Sequence, residues 1–293
     1  MNEMSTSKHL EYLAAGATAE RNDDHVAVFN HAGVTDILVI DGGTSVAERD
    51  YVDPVQGDVA WFVHAFTHAI GRELAPGRRQ QDCVHAAMQM VAEEYENATK
   101  ERAAPLYAWP IAALTWLRIE ERNGVAWAGL YSLGDCKSLL YTPAGGCVDL
   151  DPFVNPQDAV LQSEIARLRA AGITDAEERR AHMLPMLRAR REFQNTVPEP
   201  TILCLRPNGA FKPRLLDVEV NAGARLLVMT DGFYRLVDPY GLYTNAGLVK
   251  ACLERGLVAM LGELRSFEEN TNGTGKRAVK AADDASAVIW RAD

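Results

Sequence analysis

Residues 226–238 read LLVMTDGFYRLVD: an apolar run passes straight into Thr-Asp-Gly. The apolar residues predict a buried strand. A carboxylate taken out of water at its end costs several kcal/mol unless something offsets the charge. A helix cap would do so, and so would a metal ion. The arrangement recurs, and the recurrence limits what the chain can fold into. DILVIDGG ends an apolar run on Asp41-Gly42, as LLVMTDGF does on Asp231-Gly232. AADDASAVIW puts Asp283 and Asp284 at the start of another run, and ERNDDHVAVF puts Asp23 and Asp24 at the start of a fourth. YSLGDCKSLLY places Gly134-Asp135 at a turn between strands.

In an antiparallel sheet the end of one strand lies beside the start of its neighbour, so these corners can converge on one edge. Glycine after the aspartate lets backbone approach closely and leaves its carbonyl available as a ligand. Oxygen donors without a His or Cys partner suit hard cations such as Mg²⁺ or Mn²⁺. Two such ions can activate water and clamp a phosphoryl group. The competing use of each corner is an ordinary turn, where Asp-Gly is common.

The rest of the chain supplies both strands and helices. HVAVFNHAGVTDILVIDGG reads as a hairpin, and ERNG sets a second tight turn between IAALTWLRI and VAWAGLYSLG. Helical spacing marks GDVAWFVHAFTHAIGREL, QDCVHAAMQMVAEEYENATKERA and, as one helix, AGLVKACLERGLVAMLGELRSFEEN. Residues at about 155–195 change character to Arg, Glu and Ala. They predict helices split at Gly172, inserted between two blocks of strands. The strands resume with TILCL, RLLDVEV and ARLLVMTDG and close on ASAVIWRA, after a polar loop NTNGTGKRAVKAAD. No repeat or linker divides the 293 residues, so one domain, 1–293, is expected. A formal charge of -10 argues against a nucleic-acid partner. No apolar stretch is long enough to span a bilayer, and the N-terminus has no signal core, so no membrane association is expected. Five scattered cysteines without a C-x-x-C pair point to a reducing, cytoplasmic setting.

The ordered set NDDHV, DGGTS, GDCKS, TDGFY, DDASAVIW resembles the motif series of PP2C-type (PPM) metal-dependent protein serine/threonine phosphatases over nearly the whole chain. The resemblance implies an α+β fold: a four-layer α-β-β-α sandwich of two antiparallel sheets flanked by helices, with the 155–195 insertion in the place of the family's variable flap. It implies hydrolysis of phosphoserine or phosphothreonine on a protein by a hydroxide bridging two Mn²⁺ or Mg²⁺ ions. Asp41 would bridge the metals, with the Gly42 carbonyl on one of them. Asp231 and Asp283 would complete the first. Asp23 matches a glutamate on the second metal, and Asp24 the aspartate beside it. Asp135 matches a residue that some members use for a third metal. A regulatory partner would meet the flap.

Three departures accompany the match. DGGTS lacks the histidine often assigned as general acid. Arg235 replaces an aspartate that helps hold the third metal. The phosphate-binding arginine, usually four residues before the position of Asp23, is Ala19, and Arg21 is the nearest substitute. These departures leave a second reading: a catalytically weak pseudophosphatase that works as a regulatory binding module. More distantly, VIDGGTS resembles the phosphate turn of actin-like sugar kinases, which would require ATP and a two-lobed fold. NGTGKRA resembles a P-loop without its first glycine. His64 and His68, four apart, fit helix packing better than a metal pair, and His25 should point away from Asp24. Thr44 and Ser45 are expected to cap a helix.

Overall fold

Both faces of the central strands are buried, which is why they read as continuous apolar runs rather than alternating ones. In the computed structural model, which describes residues 3–6 (backbone only), 10–144, 146–270 and 282–292, the segment Val34–Gly42 turns Ile37 and Val39 to one side and Leu38 and Ile40 to the other, all fully buried. Such a strand must lie between two apolar layers.

One sheet has the order β10 (Arg214–Glu219), β6 (Val125–Leu133), β5 (Ile111–Arg122), β4 (Val34–Gly42), β3 (His25–His31), with β9 (Leu203–Cys204) also on β5. The other has the order β1 (Glu3–Thr6), β2 (Leu10–Ala15), β12 (Ala285–Arg291), β11 (Arg225–Met229), β7 (Lys137–Tyr141), β8 (Cys147–Asp149). Every pairing is antiparallel. The sheets stack through Val26, Ile37, Val39, Leu117 and Leu130 on one and Leu140, Leu226, Val228 and Val288 on the other. Helices α1 (Asp58–Glu73) and α2 (Gln80–Thr99) cover the outer face of the first sheet with Phe62, Phe66, Ile70, Val84 and Met88. Helices α6 (Asn245–Arg255) and α7 (Leu257–Asn270) cover the second with Leu248, Cys252, Met260 and Leu264. The result is the four-layer α-β-β-α sandwich with an α+β composition.

The two hairpins of the first sheet turn where the sequence places them. Ala32-Gly33 and Asn123-Gly124 take positive φ at both positions (46° and 79°, 55° and 80°), the geometry that matches strand twist. Between β8 and β9 lie α3 (Pro156–Ala170) and α4 (Ala176–Thr196), parted at Gly172, whose φ is 89°. Asn155 and Asp175 cap them.

The structure departs from the sequence reading in four places. The single long C-terminal helix is two, broken at Gly256 with φ 81°, a conformation that a side chain would oppose. TILCL contributes only two paired residues, because β9 meets just the first two residues of β5, Ile111 and Ala112. Strands β1, β2 and β8 have no counterpart in the sequence reading. Each is short, and β2 joins its sheet by pairing with the final strand. The polar loop and the P-loop-like residues fall mostly at 271–281, outside the described residues. The two stacked sheets are also not the two-lobed architecture of the kinase reading.

Candidate metal and phosphoryl site

Three buried carboxylates show how this chain ordinarily treats an internal acid. Asp36 receives Trp116 Nε1 at 2.6 Å and Arg118 Nε at 2.8 Å. Asp151 receives Arg214 Nε at 2.6 Å and the Ser132 hydroxyl at 2.6 Å. Asp58 accepts the backbone N–H groups of Tyr51, Val52 and Asp53 at 2.7–3.0 Å. Each is offset by a cation or by several donors, as burial demands.

At the strand corners that rule fails. Asp24, 3% exposed, immediately precedes β3, and its Oδ2 accepts only the Thr230 hydroxyl at 2.8 Å across the two sheets. Thr230 in turn accepts the Ser286 N–H at 3.0 Å, which locks the end of β11 to the start of β12. Burial, then the charge of Asp284, pushes the Asp24 carboxyl well above the ordinary carboxylate range, with Asp283 and Asp231 adding to the push against the Thr230 bond. Asp41, on β4, is raised likewise by burial and then by Asp231, Asp24 and Asp135. Asp231, at the first turn of the short helix α5 (Asp231–Tyr234), opens onto a cleft. The surrounding protein nevertheless removes enough bulk water to raise it to about 7, with Asp135 and Asp283 adding to the rise and Arg235 and the Asp41 carboxyl, within hydrogen-bonding reach, opposing it. Like charges this close cannot all ionise without a cation.

The backbone supports this convergence. A Cβ on Gly232 would lie 1.8 Å from the Asp284 carbonyl, and one on Gly42 would lie 2.4 Å from the Asp23 carbonyl. Glycine after each aspartate is therefore required by close approach, not by turn geometry. Asp284 itself turns away from the cleft chemistry. Its two oxygens accept Ala17 N and Asp23 N, each at 2.7 Å, and so pin the loop that delivers Asp23 and Asp24.

The cleft, about 520 Å³, is lined at one end by Asp41, Gly42, Asp135, Asp231 and Asp283 and at the other by α3 and α4. Asp135 is held by Asn155 Nδ2 at 2.8 Å, the residue that also caps α3. Asp23 lies in the adjoining loop rather than in the cleft lining. Arg21 also stands apart, bound to Asp50 at 3.2 Å. Thr44 and Ser45 cap no helix, since α1 begins only at Asp58. Ser45 Oγ instead accepts the Ala47 N–H at 3.3 Å. His64 and His68 are exposed, and His64 lies against His25 with ring centroids 4.5 Å apart and the planes tilted by 60°. Burial and that neighbour lower His25 to about 4.

Two features lay beyond sequence reasoning. Arg235, with its side chain only 11% exposed, donates to Asp283 at 2.7 Å and reaches Glu268 at 3.4 Å. A cation thus already sits beside one corner. Three arginines of α4 are committed to the chain's own backbone. Arg191 Nη2 donates to the carbonyls of Gly43 and Thr44 at 3.2 and 3.0 Å, Arg188 to Val46 at 3.0 Å and Arg180 to Ser45 at 2.8 Å. The segment following Asp41 is clamped under the inserted helices.

The donor set tests well for a hard divalent cation: oxygen only, several carboxylates held in mutual repulsion, and a glycine carbonyl beside them. Among the described residues, no three His, Cys, Asp or Glu side chains already stand at ligating positions round one point. Backbone carbonyls and water would have to share the coordination. No helix among the described residues is long and apolar enough to cross a membrane.

No family model and no curated protein matches the sequence. Solved structures do. The serine/threonine phosphatase of S. agalactiae superposes with a TM-score of 0.54, at 14% identity over 100% of both chains. The serine/threonine phosphatase Stp1 from Staphylococcus aureus gives 0.55, at 12% identity over 99% of this chain and 97% of that one. The PPM Ser-Thr phosphatase MsPP from Mycobacterium smegmatis, in complex with cacodylate, gives 0.53, at 14% identity over 99% and 100%. At such identities the likeness speaks for the fold.

Proposed function

We propose that this chain, built on the fold shared by PPM-type serine/threonine phosphatases, is a metal-dependent phosphomonoester hydrolase acting on phosphoserine or phosphothreonine in a protein. The observation that carries the reading is the break in the chain's own rule. Buried acids elsewhere are offset by cations or N–H donors, whereas buried Asp24 has a single hydroxyl partner, and the half-buried Asp41 and the cleft-exposed Asp231 crowd it at the strand corners.

Asp41, Asp231, Asp283 and the Gly42 carbonyl would hold one ion. Asp41, Asp24 and Asp23 would hold the second, with Asp135 available for a further one. Mn²⁺ or Mg²⁺ bound there supplies a Lewis acid that lowers the pKa of water and neutralises phosphoryl charge. The protein's own contribution is positional. Thr230 fixes the Asp24 carboxylate, Asp284 fixes the loop before it, and Asn155 fixes Asp135. Because Asp231 titrates near 7, ion binding at neutral pH displaces protons from the cluster. The inserted helices roof the cleft and present the surface that a phosphoprotein, or a regulatory partner, would meet. A cytoplasmic setting fits five free cysteines.

One observation favours a second reading. The Arg235–Asp283 pair occupies a carboxylate that an ion would need, and Gly43 stands where the family's general acid is missing. A binding module with poor turnover would look like this. Hydrolysis of p-nitrophenyl phosphate, after chelation and then with Mn²⁺ or Mg²⁺ restored, separates the two. Metal-restored turnover that falls more than about a hundredfold in Asp41→Asn and in Asp231→Asn is expected. Turnover undiminished in EDTA, or at wild-type level in either variant, would sink the phosphatase reading.

A further inference from the structure

A phosphoryl dianion that enters a cleft edged by Asp41, Asp135, Asp158, Asp231 and Asp283 meets a field of its own sign. Divalent ions offset part of that repulsion, but a fixed organic cation adds directional hydrogen bonds to the outer phosphoryl oxygens. The candidates are few. Arg21 is bound to Asp50 outside the cleft, and Ala19 has no charge. Of the arginines lining the cleft, Arg179 is bound to the carbonyl of Thr174, Arg180 to that of Ser45, and Arg191 to those of Gly43 and Thr44. Arg235 is committed to Asp283 and Glu268. Arg190 lines the same cleft and, among the described residues, makes no hydrogen bond or ion pair. It feels Asp135 and Asp158 only at longer range.

Its orientation has a cause. Arg191 is anchored in the carbonyls behind Asp41, which sets the rotation of α4. The next side chain, about 100° round the helix, is thereby turned into the cleft. Resting on the phosphatase reading, we propose that Arg190 is the residue that binds the phosphoryl group of the substrate, delivered from the inserted helix rather than from the N-terminal strand. A planar guanidinium with all its donors uncommitted suits bidentate contact with phosphate oxygens.

The test reads binding and turnover separately. Calorimetry measures inorganic phosphate binding to the Mn²⁺-loaded protein, and p-nitrophenyl phosphate reports KM and kcat. Arg190→Gln should weaken phosphate binding at least about tenfold and raise KM in step, the loss expected for charge-assisted hydrogen bonds. Mn²⁺ affinity and Tm should hold, because the side chain supports nothing else. Arg190→Lys, which keeps the charge without the fork, should fall between and guards against a folding artefact in the first variant. Phosphate binding and KM at wild-type values in both variants would overturn the proposal while leaving the phosphatase intact. So would a loss confined to Arg21→Gln. A wild-type protein that binds phosphate without turnover, and loses that binding in Arg190→Gln, would support the proposal although the phosphatase reading fails.

Discussion

Arg191 is the sharpest place to test how the inserted helices are held. Arg191 as a whole is 6% exposed, and burial together with Arg190 lowers its pKa to about 10, so holding the charge there is costly. Two well-formed bonds repay that cost, to the carbonyls of Gly43 and Thr44; the 3.5 Å approach to Trp109 O is too long to count. Hydrogen bonds to charged groups are worth about 1.5–3 kcal/mol each. Arg191→Met removes both and leaves two carbonyls short of a donor, but it also relieves the desolvation of the cation. Weighing these, the net loss should be about 2–4 kcal/mol. For a chain of this size that corresponds to a Tm lower by roughly 3–7 °C if the helices and sandwich unfold together. If they part locally, Tm changes little, but protease cuts between α3 and α4 become much faster. Thermal unfolding and limited proteolysis of the same sample cover both cases. A variant with unchanged Tm and unchanged cleavage would refute the clamp.

The carboxylate cluster should make the chelated protein sensitive to pH. The Asp231 carboxyl rises from 3.8 to about 7 on folding, so the native state keeps a proton that the unfolded chain releases. This contribution is fully present below about 4 and is lost as pH climbs through 7. The full shift would be worth about 4 kcal/mol. Water in the open cleft screens it, so about 1–2 kcal/mol is expected between pH 5 and pH 8. Melting curves in EDTA should fall over that range, Mn²⁺ should abolish the fall and Asp231→Asn should flatten it; stability that rises with pH would contradict the scheme. Glycine scanning offers a structural control. Gly232→Ala, whose Cβ would strike the Asp284 carbonyl, should cost more than about 3 kcal/mol or fail to express in soluble form. Gly262→Ala, on α7 with nothing within 4 Å of a Cβ, should be neutral or stabilising by up to about 1 kcal/mol. Chemical denaturation of both gives the contrast, and equal stabilities would remove the close-approach argument.

The corners were legible because each carries a local signature: an apolar run, then Asp, then Gly. The tight hairpins were legible in Asn123-Gly124, where the turn type selects the residues. What remained hidden depends on which distant group a side chain meets. Nothing local separates Asp283, facing the cleft, from Asp284, which caps a loop hundreds of residues earlier. The arginines of α4 look alike in sequence, yet their rotation about the helix makes Arg191 an internal strut and turns its neighbour outward into the cleft. The pairing of Arg235 with Asp283 is equally invisible, because the two lie on different elements. Strand β2 escaped notice because LEYLAA is short and gains its place only by lying against β12.

That last pairing also orders events in time. The strand nearest the C-terminus sits between β2 and β11, and Asp284 bonds to Ala17 across 267 positions of chain. Contacts of such separation are closed late and slowly, after local helices and hairpins have formed. A partly synthesised chain can build the β3–β4 hairpin and the α1–α2 layer, but it cannot seat the loop carrying Asp23 and Asp24. The acidic corner therefore comes into being only after β12 has docked between β2 and β11, so its geometry reports that the second sheet has closed.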